Sequence, residues 1–306
     1  MESESADRAE DGGPSDRRVV RQLPCLFRLA KWYTLHGFHK GRWRAWEWAA
    51  RLSGRGRLCQ VDLDCGLRVL VDLSDPSSRY PLTYGNRNEP VIAALVKGLL
   101  GPGEAFADVG ANTGYYSLLA AARVGAGGHV YAIEPHPIVA GLLQANAERN
   151  GLRQLSVLPV AVGRGSGQIE LHLPRRQPSG SATVLPGEAP AGCDQVLVPL
   201  TTLDEVLHEE TRPLRALKID VEGVELGVLE GAEQTLERHQ PVVICAVRLA
   251  TAREVLAWLA GRGYTTYRAQ RSGLREVGAE EIRSHENVCA IPPERRAALE
   301  EAIQRV

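Results

Sequence analysis

The stretch FADVGANTGYYS, residues 106–117, followed at residue 131 by YAIEP, decides how this 306-residue chain folds. An apolar run ends near Asp108, glycines stand at 110 and 114, and a helical pattern begins directly behind them. Glycine lets the backbone turn tightly and come close to a ligand, and the amides opening the next helix suit an anionic group. The next apolar run closes at Glu134, twenty residues after Gly114. There an acid can accept hydrogen bonds from both hydroxyls of a ribose. Strand, glycine turn, helix and second strand ending in an acid describe a nucleoside-binding unit.

Working outward, apolar runs at 105–109, 129–133, 155–162, 216–219, 242–247, 264–267 and 287–291 read as seven strands. Amphipathic stretches near 115–124, 137–150, 223–238 and 251–262 lie between them. This alternation predicts an α/β fold with a mainly parallel seven-stranded sheet covered by helices on both faces. Residues 167–201 interrupt the rhythm with two strand-like pieces around a loop rich in Pro, Gly and Ser, which reads as an insertion over the carboxyl edge of the sheet. On the amino-terminal side, CQVDLDCGLRVLVDL (59–73) alternates like a hairpin turning at Cys65-Gly66, and EPVIAALVKGLL (89–100) has helical period.

Residues 1–18 are polar, with nothing to bury, and are expected to be a disordered tail. Residues 19–100 form an extension of basic, aromatic-rich helices and the hairpin; 101–293 form the main domain, and 294–306 a closing helix. Between Val19 and Arg57 there are nine Lys or Arg against the single acid Glu47, with four of the five tryptophans. One reading packs these helices on the main domain with their arginines in solvent; the other gives them peripheral contact with a membrane surface or an acidic partner.

The net charge of −1 supplies no global attraction to polyanions, so no nucleic-acid partner is expected. Six scattered cysteines show no CxxC pair, which suits reduced thiols. With no apolar leader and no run of eighteen apolar residues, the expected setting is cytoplasmic, without a transmembrane segment. Oligomeric state leaves no trace in the sequence.

NAD and S-adenosylmethionine both suit a glycine turn followed by a ribose acid. The dinucleotide pattern needs G-x-G-x-x-G, whereas this loop is GANTG with Asp108 two residues before it. That acid would repel a pyrophosphate and suits a ligand carrying an amino group and a sulfonium. Downstream come PVAVG (159–163), TTLD (201–204), LKIDVEG (217–223) and NVCAIP (287–292), in one order with YGNRNEP (84–90) and the opening motif. Over residues 84–292 the chain resembles the FkbM family of S-adenosylmethionine-dependent methyltransferases.

That resemblance implies a class I methyltransferase fold and a hydroxyl-methylating enzyme acting on natural products such as macrolides, or on sugars; a methyltransferase acting on RNA or protein and a non-catalytic cofactor-binding protein stay open as alternatives. It implies that Asp108, Gly110, Asn112 and Gly114 line the methionine end of the cofactor, Glu134 its ribose and Ala161 its adenine; Glu89, which precedes the main domain, is a further candidate for closing over the cofactor. Tyr84, Asn86, Ser179 and Ser181 are the substrate-side candidates. Lys218, Asp220 and Glu222 share one strand face if extended geometry persists, which would bring Asp220 out beside the methyl donor. Three roles are open for Asp220: proton acceptor, ligand of a divalent cation together with Glu222, or cap of the helix near Gly223. No third metal ligand is identifiable, so a cation is unsupported. His36 and His39 read as surface residues and His136 as loop packing. One departure is Ala246, where family members often carry an acid.

Overall fold

The computed structural model describes residues 19–20, 25–35, 42–53, 58–63, 66–79, 89–174, 179–189, 192–270 and 272–296. The expected disordered tail, His36, His39, Tyr84 and Asn86 lie outside them, as do residues 297–306 of the expected closing helix, before which 293–295 make one 3-10 turn.

In chain order, β1 (Val19–Val20), α1 (Cys25–Leu35), α2 (Arg42–Ser53), β2 (Leu58–Asp62) and β3 (Arg68–Asp72) come first. Then follow α3 (Pro90–Leu99), β4 (Ala105–Val109), α4 (Tyr115–Val124), β5 (His129–Ile133), α5 (Pro137–Arg149), β6 (Leu155–Leu158) and β7 (Ala161–Val162). The insertion carries β8 (Gly167–Leu173) and β9 (Asp194–Thr201). The chain continues with α6 (Leu203–Val206), β10 (Leu214–Ile219), α7 (Glu225–Glu230), α8 (Glu233–His239), β11 (Val242–Val247), α9 (Ala252–Ala260), β12 (Thr265–Gln270), β13 (Gly273–Glu276) and β14 (Glu286–Ile291).

The main sheet has eight strands in the order β13-β12-β14-β11-β10-β4-β5-β6. Five neighbours from β6 to β11 pair in parallel, and the β14, β12 and β13 pairings are antiparallel. The eighth strand corrects the expected seven. β13 is Gly-Leu-Arg-Glu at an edge, half in solvent, so it has no apolar run to announce it. The expected helix over 223–238 is two helices, because Gly231 passes so close to the Gly163 carbonyl that an added Cβ would sit 2.0 Å from its oxygen. The Asp204 carboxylate then accepts from the amides of Gln234 and Thr235 and starts α8 afresh.

Two apolar layers sandwich the sheet. One centres on Phe106, Leu118, Leu119 and Ile244; the other on Val109, Leu217, Val228 and Val255. The hairpin β2–β3 docks on α5 through side-chain amides. Asn146 bonds both the N–H and the C=O of Leu70, and Asn150 does the same for Arg68, which satisfies an otherwise open strand edge. The expected single strand over 155–162 divides: β6 stays in the main sheet, whereas β7 joins β9 and β8 of the insertion in a separate sheet, β7-β9-β8, with its own apolar cluster of Ala161, Leu171 and Val198. No helix among the described residues is long and apolar enough to cross a membrane.

Candidate active site

The carboxyl ends of β4, β5 and β10 open into a cleft of about 640 Å³, walled on its far side by Ile169, Leu171, Ala182 and Leu200 of the insertion. Open α/β sheets bind ligands at this edge. The GANTG loop forms its floor. Gly110 has φ +79, and a Cβ there would lie 1.9 Å from the Asp220 carbonyl oxygen, so the close approach of the β4 and β10 ends requires glycine. The Gly110 and Ala111 amides both donate to the Ile133 carbonyl, fastening the loop to the end of β5.

Glu134 lies where β5 ends. Its two oxygens accept from the Asn112 amide at 2.8 Å and the His136 amide at 2.9 Å. Each carboxylate oxygen retains a lone pair that can face the cleft. Burial pushes this carboxyl up to about 7, although both amides favour the charged form. Val160 and Ala161 line the neighbouring wall.

Alternation along paired parallel strands puts Asp108 and Lys218 side by side, since they are direct partners in the β4–β10 register. The Lys218 ammonium is buried, 3.1 Å from Asp220 Oδ2, 4.0 Å from Asp108 Oδ1 and 5.0 Å from the centroid of the Tyr116 ring. Burial opposes its charge, but Asp220 and Asp108 outweigh that and raise its pKa. Burial likewise raises Asp108, whose Oδ2 accepts from the Ser117 hydroxyl at 2.6 Å and whose Oδ1 has no hydrogen-bond partner. Asp220, its side chain one-third exposed, resists the desolvation penalty through Lys218 and sits below its ordinary value. His285 Nε2 is 4.0 Å from Asp220 Oδ1 on the cleft wall.

The structure therefore brings Gly110, Asn112, Glu134, Ala161, Glu89, Ser181, Lys218, Asp220 and Glu222 to one cleft. Asp108, Gly114 and Ser179 are not on its wall. Asp108 is buried behind it and supports Lys218. Gly114 is needed for packing, because a Cβ would lie 2.0 Å from Leu143 Cδ1 on α5. Gly180, next to Ser179, donates its amide to Ser77 Oγ at 3.0 Å, pinning the insertion to the turn after β3.

Glu222 departs from the expected shared strand face. β10 ends at Ile219, Glu222 is left-handed at φ +58, and its carboxylate pairs with Arg248 at 2.5 Å. Arg248 also holds Glu188 of the insertion at 2.5 Å. Asp220 is not a helix cap: Val224 occupies the cap of α7. His136 takes the cap position of α5 and is buried there. Glu89 is left-handed at φ +43 and accepts from the Tyr116 hydroxyl at 2.6 Å and from the Asn287 side-chain amide. Asn287 faces Ala246 across β11 and β14, so Glu89 is bonded to the residue opposite the departing position. Sequence reasoning missed His285 and Arg248. Both lie just outside a strand, Arg248 after β11 and His285 before β14, where no spacing signals a site.

A mostly parallel sheet with an antiparallel strand between its last two parallel ones, a glycine turn after β4 and an acid after β5 defines the class I S-adenosylmethionine methyltransferase fold. The Methyltransferase FkbM domain family matches residues 108–266, more than half of the sequence, and the chain belongs to that family. Over 73 residues it is 45% identical to a protein-L-isoaspartate O-methyltransferase of Aeropyrum pernix, a stretch covering 24% of this chain and only 27% of that protein. Among solved structures, a methyltransferase FkbM from Methylobacillus flagellatus is 17% identical with TM-score 0.41, covering 61% of this chain and 43% of that one. An O-methyltransferase from Thermotoga maritima is 14% identical with TM-score 0.40 and covers 78% of each chain.

The residues fit S-adenosylmethionine. The Glu134 carboxylate can take the ribose hydroxyls, the apolar wall at Val160 and Ala161 an adenine, and the Asp220 edge of the cleft a cationic methionine end. Lys218 and Arg248 hold the carboxylates of Asp220 and Glu222 that the sequence reading offered to a divalent cation.

Proposed function

We propose that this chain is an S-adenosylmethionine-dependent methyltransferase acting on a hydroxyl oxygen of a small molecule, a natural product or a sugar. The observation that carries the reading is the Lys218–Asp220–His285 cluster, which meets the cleft at the carboxyl end of β10. Bound beside it, S-adenosylmethionine supplies an electrophilic methyl group.

The protein's work is alignment and proton transfer. In-line displacement is accelerated chiefly by holding the acceptor oxygen in near-attack geometry. Asp220 accepts a hydrogen bond from the acceptor hydroxyl and fixes the direction of its lone pair. Lys218 keeps that carboxylate ionised. A carboxylate below its ordinary range binds a proton weakly, so the proton passes onward to the neighbouring His285 imidazole, directly or through water. Glu222 takes no proton in this reading: with Arg248 and Glu188 it ties the insertion to the β10 loop. Tyr84, Asn86, Ser179 and Ser181 remain candidates for shaping the acceptor side.

The cleft is of a size that takes a cofactor and a modest acceptor together. The test is product identification. With methyl-labelled cofactor and a pool of hydroxylated metabolites, the label is expected in a methyl ether. Label recovered only in RNA or protein overturns the small-molecule assignment, and label on nitrogen overturns the oxygen assignment.

A further inference from the structure

The α1–α2 pair carries features that the cleft does not use. Five of the eight large apolar side chains exposed among the described residues lie on these two short helices: Leu26, Leu29, Trp32, Trp48 and Leu52. Phe27 and Trp46 pack against each other in the interior, with ring centroids 5.8 Å apart, so the pair has a buried face and the exposed residues are additional to it. On α1, Arg28 and Trp32 are four apart and both exposed. On α2, Arg44, Trp48 and Leu52 repeat the same spacing, again all exposed. Residues four apart share a helix face, so each helix presents a cation beside a tryptophan.

Charge is segregated in the same place. The single acid of residues 19–57, Glu47, is paired at 2.9 Å with the buried Arg79 outside the segment. In sequence the segment thus carries nine Lys or Arg against that one paired acid, in a chain whose net charge is −1, and Arg28 and Arg44 stand exposed on the two helices.

We propose that α1 and α2 dock the protein on an anionic lipid surface. Interfacial helices place Trp and Leu at the headgroup and acyl boundary while Lys and Arg engage anionic headgroups. The pairing of cations with aliphatic Leu26, Leu29 and Leu52 separates this occupant from a nucleic acid, which would stack on the tryptophans but gain nothing from exposed leucines. A second copy of the chain is disfavoured by the repulsion between two basic faces. Docking is electrostatic in onset and apolar in retention, so it requires both halves of the face.

The experiment is co-sedimentation of the full chain with phosphatidylcholine vesicles, with and without about 30 mol% phosphatidylglycerol, read together with tryptophan emission. Anionic vesicles are expected to raise the partition coefficient by about tenfold or more and to shift emission to the blue, with binding weakened by added salt. The variant Leu29→Ser/Trp48→Ser, which removes two of the most exposed apolar side chains of the pair, is expected to lose both effects while its melting temperature stays unchanged. Equal partition on both vesicle types, or binding and blue shift unaltered in that variant, overturns the proposal. So does a dimer abolished by the same substitutions, or retention on RNA without vesicle binding.

Discussion

Glu134 offers the prediction most directly tied to geometry, and it needs no knowledge of the acceptor. In the free protein burial lifts this carboxyl from 4.5 to about 7, with Asp108 and Asp220 adding repulsion and the Asn112 and His136 amides opposing it. Ribose hydroxyls donate to the ionised form, so cofactor binding selects the carboxylate. With a pKa of about 7, roughly one molecule in eleven is ionised at pH 6 and roughly ten in eleven at pH 8. Kd for S-adenosylhomocysteine is therefore expected to be about tenfold weaker at pH 6, with close to one proton released per binding event there. Calorimetry in two buffers of different ionisation enthalpy measures both quantities. In Glu134→Gln the pH dependence should vanish and the affinity fall by about 1–3 kcal/mol. The same group makes the unliganded fold less stable as pH rises from 4.5 to about 7, because the unfolded chain has already released the proton that the buried carboxyl keeps. Integrated over that window the loss is about 3 kcal/mol. A wild-type Kd equal at pH 6 and pH 8, with no proton released, would refute the ribose role and the buried-acid argument together.

Asp220→Asn keeps a hydrogen-bond acceptor for Lys218 but removes the charge, so turnover is expected to fall by about two to four orders of magnitude with cofactor Kd nearly unchanged. Lys218 retains Asp108 at 4.0 Å, so the fold should survive, and single-turnover rates within threefold of wild type would sink the catalytic reading. His285→Gln is expected to cost about tenfold to a hundredfold in kcat with cofactor Kd nearly unchanged, since the imidazole that stands 4.0 Å from Asp220 Oδ1 would no longer be there to take the proton. A kcat within about twofold of wild type assigns the proton elsewhere. Gly110→Ala places a Cβ 1.9 Å from the Asp220 carbonyl oxygen at a backbone φ of +79. Strain of about 1–3 kcal/mol, with displacement of Asp220, should lower the melting temperature and abolish saturable cofactor binding, as thermal denaturation with and without ligand would report. Binding retained at wild-type affinity argues against the close approach of β4 and β10.

The sequence by itself determined the strand–helix alternation, the glycine turn, the acid after the second strand and the insertion at the carboxyl edge. These depend on local periodicity and on residue types that few other backbones need, and 105–109, 129–133 and 242–247 occur as strands at the positions read. Tertiary structure decided which polar groups face the cleft. Lys218 meets Asp108 only because β10 and β4 pair in that register, and a register is a long-range property. Glu222 leaves the strand face because Arg248, 26 residues away, draws it into a left-handed turn beside the insertion. His285 reaches Asp220 from a loop before the last strand, 65 positions downstream, where nothing in the local pattern distinguishes it from any other polar turn residue. Asp108 shows the same limit in reverse: its motif was legible, but whether it touches ligand or supports the lysine depends on how deeply the sheet buries it. Local sequence carries periodicity and turn chemistry, whereas contact between distant side chains exists only once the sheet has assembled.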